Sequence, residues 1–275
     1  MTVILAIDAA WTQTEPSGVA LIAVDDEEIS CLAATPSYDS FVALTNGVPV
    51  DWQQRRFPGS NPNIQVLLDA AQILAGQPVH LVTGDIPVAT VPITGRREAD
   101  NQISREFGGR WCSAHTPSVA RPGEIGAAFS NALHAAGYPL VTNAENQLVE
   151  NALIEVYPHP ALLSLLNRPQ RVPYKVSKSH RYWPQTPVAI RIGNLLNEFA
   201  AIYQALNNVF GPLPFQLPAA ADVGSLGYLK RYEDALDALV CAWIGVQFLN
   251  GTTVALGDRT AAIWCPQNVV HNINH

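Results

Sequence analysis

Four aspartates carry the chemistry that this chain can be read for. Asp8 closes an apolar run, Val3 to Ile7, and Asp85 closes a second, Val79 to Gly84. Asp234 and Asp237 stand three residues apart in an otherwise apolar stretch, hence on one helical face. Stripping water from an unpartnered carboxylate is very costly, and like charges at that spacing repel. An apolar helix carrying both acids therefore implies a cation. Converging carboxylates suit hard divalent ions such as Mg²⁺ or Mn²⁺. Two such ions, roughly 3.5 to 4 Å apart, can hold the attacking and leaving oxygens of a phosphodiester. Plainer readings stand beside this one. Asp8 is equally placed to cap the turn that follows it, and Asp234 and Asp237 to face solvent near a helix start, where the macrodipole favours acids.

Other residues attach to this constellation with two readings each. Glu155 either points into the same site as a further metal ligand or is a buried acid paired with an arginine. His159, just after Pro158, is a proton donor, an outer-shell partner, or a loop histidine without a role. Arg96, Arg97 and Asp100 follow the Asp85 strand and either grip a phosphate, arginine doing so through two parallel bonds, or are surface charges. Arg168, Arg171, Lys175, Lys178, His180 and Arg181 interleave with Tyr174, Tyr182 and Trp183. That stretch either stacks bases and holds a backbone or is a solvated flap. His271 and His275 have no partner spacing.

The elements that must position these groups follow from periodicity. Val3 to Ile7 reads as a strand buried on both faces. Ser17 to Val24 and Ile29 to Ala34 complete an antiparallel meander across the acidic turn Asp25 to Glu28. A short helix falls within Ser37 to Asn46. Ile64, Leu67, Leu68, Ala71 and Leu74 define an amphipathic helix, with Pro62 at its start and Gly76 at its end. That helix supplies the long connection a parallel strand needs, so Val79 to Asp85 lies beside strand one with Asp85 at the same edge as Asp8. Residues 87–121 read as largely irregular, 123–137 as a helix, and Ala152 to His159 as a fifth strand stopped by Pro158. Val188 to Phe210 and Lys230 to Leu249 read as helices, the latter closed by Gly251, and Ala261 to Cys265 as a last strand-like piece. The polar tail is expected to be loosely held.

Composition bounds the answer. With 275 residues, 48% apolar and 14% charged, the chain can bury a sizeable core. No apolar run is long enough to span a bilayer, and the first residues lack the pattern of a signal peptide. Cys31, Cys112, Cys241 and Cys265 are scattered, which suits reduced thiols in cytoplasm rather than a disulfide framework or a zinc site. A net charge of −7 argues against coating nucleic acid indiscriminately. Eleven of the sixteen Lys and Arg nevertheless fall between Arg96 and Arg191, which permits a local positive face.

Asp8, Asp85 and Asp234-x-x-Asp237, in this order of elements, resemble the ribonuclease H-like fold and its Holliday-junction-resolvase branch. The whole chain resembles domain-of-unknown-function family number 429, predicted ribonuclease H-like nucleases. The segments carrying that resemblance are Ile7 to Trp11 with Pro16 to Ala20, Asp85-Ile86-Pro87, Glu155 to His159, Tyr174-Lys175, and Asp234 to Ala242. One departure is Asp85, where resolvases carry Glu. The resemblance implies one α/β domain over 1–275. Its mixed five-stranded sheet has strands one to three antiparallel and four and five parallel to strand one, flanked by helices. Insertions are expected at about 37–62, 87–150, 160–187 and 211–228. It implies a nuclease with Mg²⁺ or Mn²⁺ on Asp8, Asp85 and Asp237, Asp234 assisting, and Glu155 joins them on the first of its two readings. Arg96, Arg97, Asp100, Lys175 and His159 are expected toward DNA or RNA. The rivals are a non-enzymatic nucleic-acid or nucleotide binder on the same fold, and an actin-like ATP-dependent phosphotransferase. The latter needs glycine-rich phosphate loops, and Asp8-Ala9-Ala10-Trp11 offers none.

Overall fold

The structure is a computed structural model that describes residues 1–25, 28–143 and 151–270. Asp26 and Glu27 of the acidic turn, residues 144–150 of one expected insertion, and the tail with His271 and His275 lie outside the described residues.

β1 (Thr2–Asp8) is the centre of the sheet, and its residues Val3 to Ile7 are buried on both faces. β2 (Gly18–Val24) pairs with it antiparallel, in a register that sets Gly18 opposite Asp8. β3 (Ile29–Thr35) continues the meander, with a register shift between Leu21 and Ile22. α1 (Tyr38–Ala43) starts where Ser37 accepts from the Ser40 N–H, and α2 (Ile64–Ala75) where Asn63 accepts from the Val66 N–H. α2 ends on Gly76 at φ 71°, a left-handed stop that glycine adopts without strain. β4 (Leu81–Gly84) then runs parallel to β1.

α3 (Glu98–Phe107) and α4 (Glu124–Ala135) precede β5 (Ala152–Val156), which is parallel to β4. After β5 come α5 (Pro158–Leu165), α6 (Ser179–Tyr182), α7 (Val188–Phe210) and α8 (Leu226–Leu249). A hairpin of β6 (Thr253–Gly257) and β7 (Ala262–Pro266) finishes the sheet, whose order is β3-β2-β1-β4-β5-β7-β6. The expected mixed α/β core of five strands is therefore present, widened by two. Pairing of β7 along β5 supplies the extra edge.

Two expectations gain detail. Residues 87–121 are irregular for the most part but hold α3, whose Ala99, Ile103 and Phe107 bury one face against the hairpin end of the sheet. The fifth strand ends at Val156, just short of the stop expected at Pro158. Pro158 starts α5 at a position where a missing N–H costs nothing.

α7 and α8 cover one face of the sheet, and α1, α2 and α4 cover the other. α8 lies between the sheet and α7, so it is apolar all round rather than along one stripe. Two glycines let it settle. A Cβ on Gly18 would lie 2.0 Å from the carbonyl oxygen of Asp234, and one on Gly245 would lie 2.9 Å from Thr83 Cγ2. This close approach delivers the acids of α8 to the end of β1. Arg231 ties the same helix to the 47–63 loop through the carbonyl oxygens of Trp52 and Gln54.

Candidate active site

Asp8 and Asp85 end neighbouring parallel strands. Ile7 pairs with Gly84, and the Asp85 N–H donates to the Ile7 carbonyl at 2.9 Å. Both carboxylates leave the same sheet edge, where crossover connections open a cleft. Neither takes a hydrogen bond or a direct ion pair among the described residues. The turn after Asp8 is closed by Ser17, whose hydroxyl accepts from the Ala10 N–H at 3.0 Å. The cap reading of Asp8 has no bond to support it.

Electrostatics show how tightly the acids converge. Burial, then the nearby Asp237 carboxylate, pushes Asp8 from 3.8 up to about 7. Burial and the repulsion of Asp8 hold Asp85 well above the usual carboxylate range. Asp234 is held high by burial and, among its neighbours, by Asp8. The structure therefore brings Asp8, Asp85, Asp234 and Asp237 together.

The acids of α8 meet cations of the chain itself. Lys175 bonds Asp237 Oδ2 through its ammonium, and the Tyr174 hydroxyl donates to Asp237 Oδ1. Lys175 Nζ also lies 3.5 Å from Glu233, whose other oxygen accepts from the Val176 N–H at 2.6 Å. Lys230 donates to Glu233 at 2.9 Å and to Asp234 Oδ1. Against the cost of burial, Lys230 and Lys175 draw Glu233 below its ordinary range. Asp234 Oδ2 is buried with no hydrogen-bond partner. Lys230 and Glu233 were not among the expected site residues. Their spacing was visible, since Lys230 precedes Glu233 and Asp234 by three and four residues.

Glu155 resolves to the second of its two readings. Arg97 grips it through two parallel bonds of 2.6 and 2.7 Å, and the Val88 N–H donates to it at 3.1 Å. Arg97 also donates to Asp100 at 2.8 Å, while Asp100 accepts from the Arg97 N–H at the start of α3. The three charges form a buried unit in the cleft wall, so Arg97 and Asp100 are not surface groups. Arg96 turns away. Its guanidinium fastens α3 to the following loop through Asn101, Thr116 and Ser104.

His159 is buried, and its Nε2 meets the Arg171 guanidinium at 2.5 Å. Burial, then the Arg171 charge, pushes its pKa well below the ordinary histidine range. The ring is therefore neutral, with Nε2 accepting and the proton on Nδ1, an atom without a partner. It supports Arg171 at the cleft wall.

Asp85, the Arg97–Glu155–Asp100 unit, His159, Lys175, Lys230 and Glu233 line a cleft of about 270 Å³. His115, Arg171 and Lys178 form its outer wall. The oxygen donors suit a hard divalent ion: Asp8 and Asp85 are unpartnered and mutually repelling, and one oxygen of Asp234 is orphaned. Asp8 and Asp85 would hold the ion. Among the described residues no three ligating side chains already share one coordination sphere, because Asp237 is turned to Lys175 and Glu155 to Arg97.

No helix among the described residues is long and apolar enough to cross a membrane. All four cysteines are free. The family described as Protein of unknown function (DUF429) matches residues 7–261. No curated protein and no solved structure matches the chain.

Proposed function

The chain belongs to the DUF429 family of proteins of unknown function, and from that premise we propose that it hydrolyses phosphodiester bonds with a divalent cation held by Asp8 and Asp85. One observation carries this reading. These two carboxylates are sheltered, adjacent and unpaired, whereas Glu155, Glu233, Asp234 and Asp237 each meet a lysine or arginine. Among the described residues of the cleft, leaving this buried pair uncompensated places an electrostatic cost where a ligand can relieve it.

A bound Mg²⁺ or Mn²⁺ would polarise the phosphoryl oxygen and acidify a water. The chain's own residues do the rest. Arg171 and Lys178 on the cleft wall receive phosphate oxygens. His159 fixes Arg171, and the Arg97–Glu155–Asp100 unit keeps that wall rigid. Asp237, with Asp234 beside it, is the next oxygen donor in reach and would serve a second ion once Lys175 gives way.

The test is a cleavage assay of labelled DNA and RNA with Mg²⁺ or Mn²⁺, beside Asp8→Asn and Asp85→Asn. Metal-dependent cleavage that falls by roughly a hundredfold or more in either variant supports the reading. Unchanged cleavage in both variants rejects it. The Lys175–Asp237 pair favours one alternative, a nucleic-acid binder without catalysis, because it ties up a helix acid that a nuclease would use. A Mn²⁺ titration that finds no bound ion would favour that binder.

A further inference from the structure

The cleft does not end at its outer wall. His115, Arg171 and Lys178 also line a second, larger groove of about 730 Å³, whose far side is formed by Trp111, Arg181 and Trp183. The two spaces therefore adjoin across a shared wall, with Asp85 lining the first and aromatic rings lining the second. We infer that this groove binds single-stranded nucleic acid and feeds it to the acid pair. The inference rests on the hydrolase reading for what happens at the acids, but not for binding itself.

Three observations converge. The first is charge. In a chain of net −7, Arg171, Lys178 and Arg181 gather on one groove, and their partner must be anionic.

The second is Trp111. It is 65% exposed, and its backbone is left-handed at φ 64°, a conformation that a bulky residue rarely adopts. An exposed indole on strained backbone points to function. The strain is held in place: the Trp111 N–H donates to the Gly108 carbonyl at 3.0 Å, and Arg171 donates from its own N–H to the Arg110 carbonyl at 2.9 Å. The Trp111 loop is thus tied to the segment that carries Arg171, which pre-organises ring and cation together.

The third is the chemistry of the lining. Trp111, Tyr182 and Trp183 line the groove together with Arg171, Lys178 and Arg181. Successive bases stack on such rings while the phosphates meet the cations. A duplex keeps its bases stacked on one another and offers no faces to these rings. An acidic peptide would satisfy the charges but not the indoles.

The experiment is fluorescence anisotropy of the full chain with a labelled oligothymidylate of about 15 nucleotides, within the usual site size for such grooves. Chelator is present throughout, so no cleavage intervenes. Wild type should bind, and Asp8→Asn should bind at least as tightly. Trp111→Ala should bind roughly fivefold to a hundredfold more weakly. Arg181→Gln should lower the slope of log affinity against log salt by about 0.7. Trp111 is exposed, so its variant is expected to fold, and a thermal melt checks this.

Binding of a duplex or of a polyglutamate peptide as tight as that of the single strand overturns the inference, as does a folded Trp111→Ala protein that binds like wild type. Binding without any metal-dependent cleavage leaves the groove standing and removes the hydrolase reading. Cleavage with no effect of Trp111→Ala on affinity does the reverse.

Discussion

The Lys175 ammonium rests on Asp237, and Tyr174, the residue before it, bonds the other oxygen of the same carboxylate. One short segment thereby neutralises and orients an acid at the heart of α8. Both partners are buried or nearly so, with side-chain exposures of 19% and 0%. Removing one partner of such a pair leaves an uncompensated charge, which costs more than the pair contributes.

Lys175→Met should accordingly lose about 3 kcal/mol of stability in chelator. Added Mn²⁺ should return part of that loss, because the freed Asp237 gains a replacement cation. Urea denaturation with and without Mn²⁺ measures both effects. A variant as stable as wild type would show that Asp237 is satisfied without Lys175.

Asp8 gives a pH dependence of definite sign. Its carboxyl is raised from 3.8 to about 7 in the folded chain. Below the lower value it is protonated folded or unfolded and contributes nothing. Between the two values only the folded chain keeps the proton, so a penalty grows as pH rises and reaches full size above about 7. In chelator, Asp8→Asn should therefore be more stable than wild type at pH 8. The expected gain is about 2 kcal/mol, less than the whole shift would give because Asp85 and Asp237 share the repulsion. The gain should shrink toward pH 5. Chemical denaturation at both pH values checks the sign, and an advantage that grows in acid contradicts it.

Glu155 separates structural from metal-binding roles. Both its oxygens are taken by Arg97. Glu155→Gln should cost about 3 kcal/mol by leaving the Arg97 guanidinium buried and short of a charge, while Mn²⁺ stoichiometry stays at the wild-type value. Electron paramagnetic resonance titration of Mn²⁺ reads the second quantity. Loss of an ion without loss of stability would return Glu155 to the metal site.

The order of the core and the convergence of its acids were legible because each rests on local signals. Five apolar residues before Asp8, and the connection through α2, leave little choice about which strands are neighbours. What hid were pairings across long separations. Nothing near Glu155 in the chain indicates that Arg97, 58 residues earlier, would claim it. Nor does anything near Asp237 point to Lys175, 62 residues away. α3 was obscured because Pro87, Pro92 and Gly95 precede it and its apolar residues recur only every fourth position. Pro158 was legible as the stop of the fifth strand, while only the backbone shows that it also opens a helix.

Gly18 is the residue on which the meeting of sheet and helix depends. It faces Asp8 across the β1–β2 ladder, and its Cα lies under the Asp234 backbone, where a Cβ would stand 2.0 Å from the carbonyl oxygen. That atom belongs to the backbone of a long buried helix and cannot swing aside as a flexible side chain would. Gly18→Ala must therefore lift the start of α8 from the sheet, at a cost of about 3 kcal/mol. The lift also draws Asp234 and Asp237 away from Asp8, and the repulsion that raises Asp8 should weaken with it. Gly18→Ala combined with Asp8→Asn should be less stable than the sum of the two single changes predicts, since both relieve the same repulsion and it can be removed only once. A double-mutant cycle at pH 8 in chelator measures this coupling. Strict additivity would mean that the acids of α8 and β1 do not sense one another.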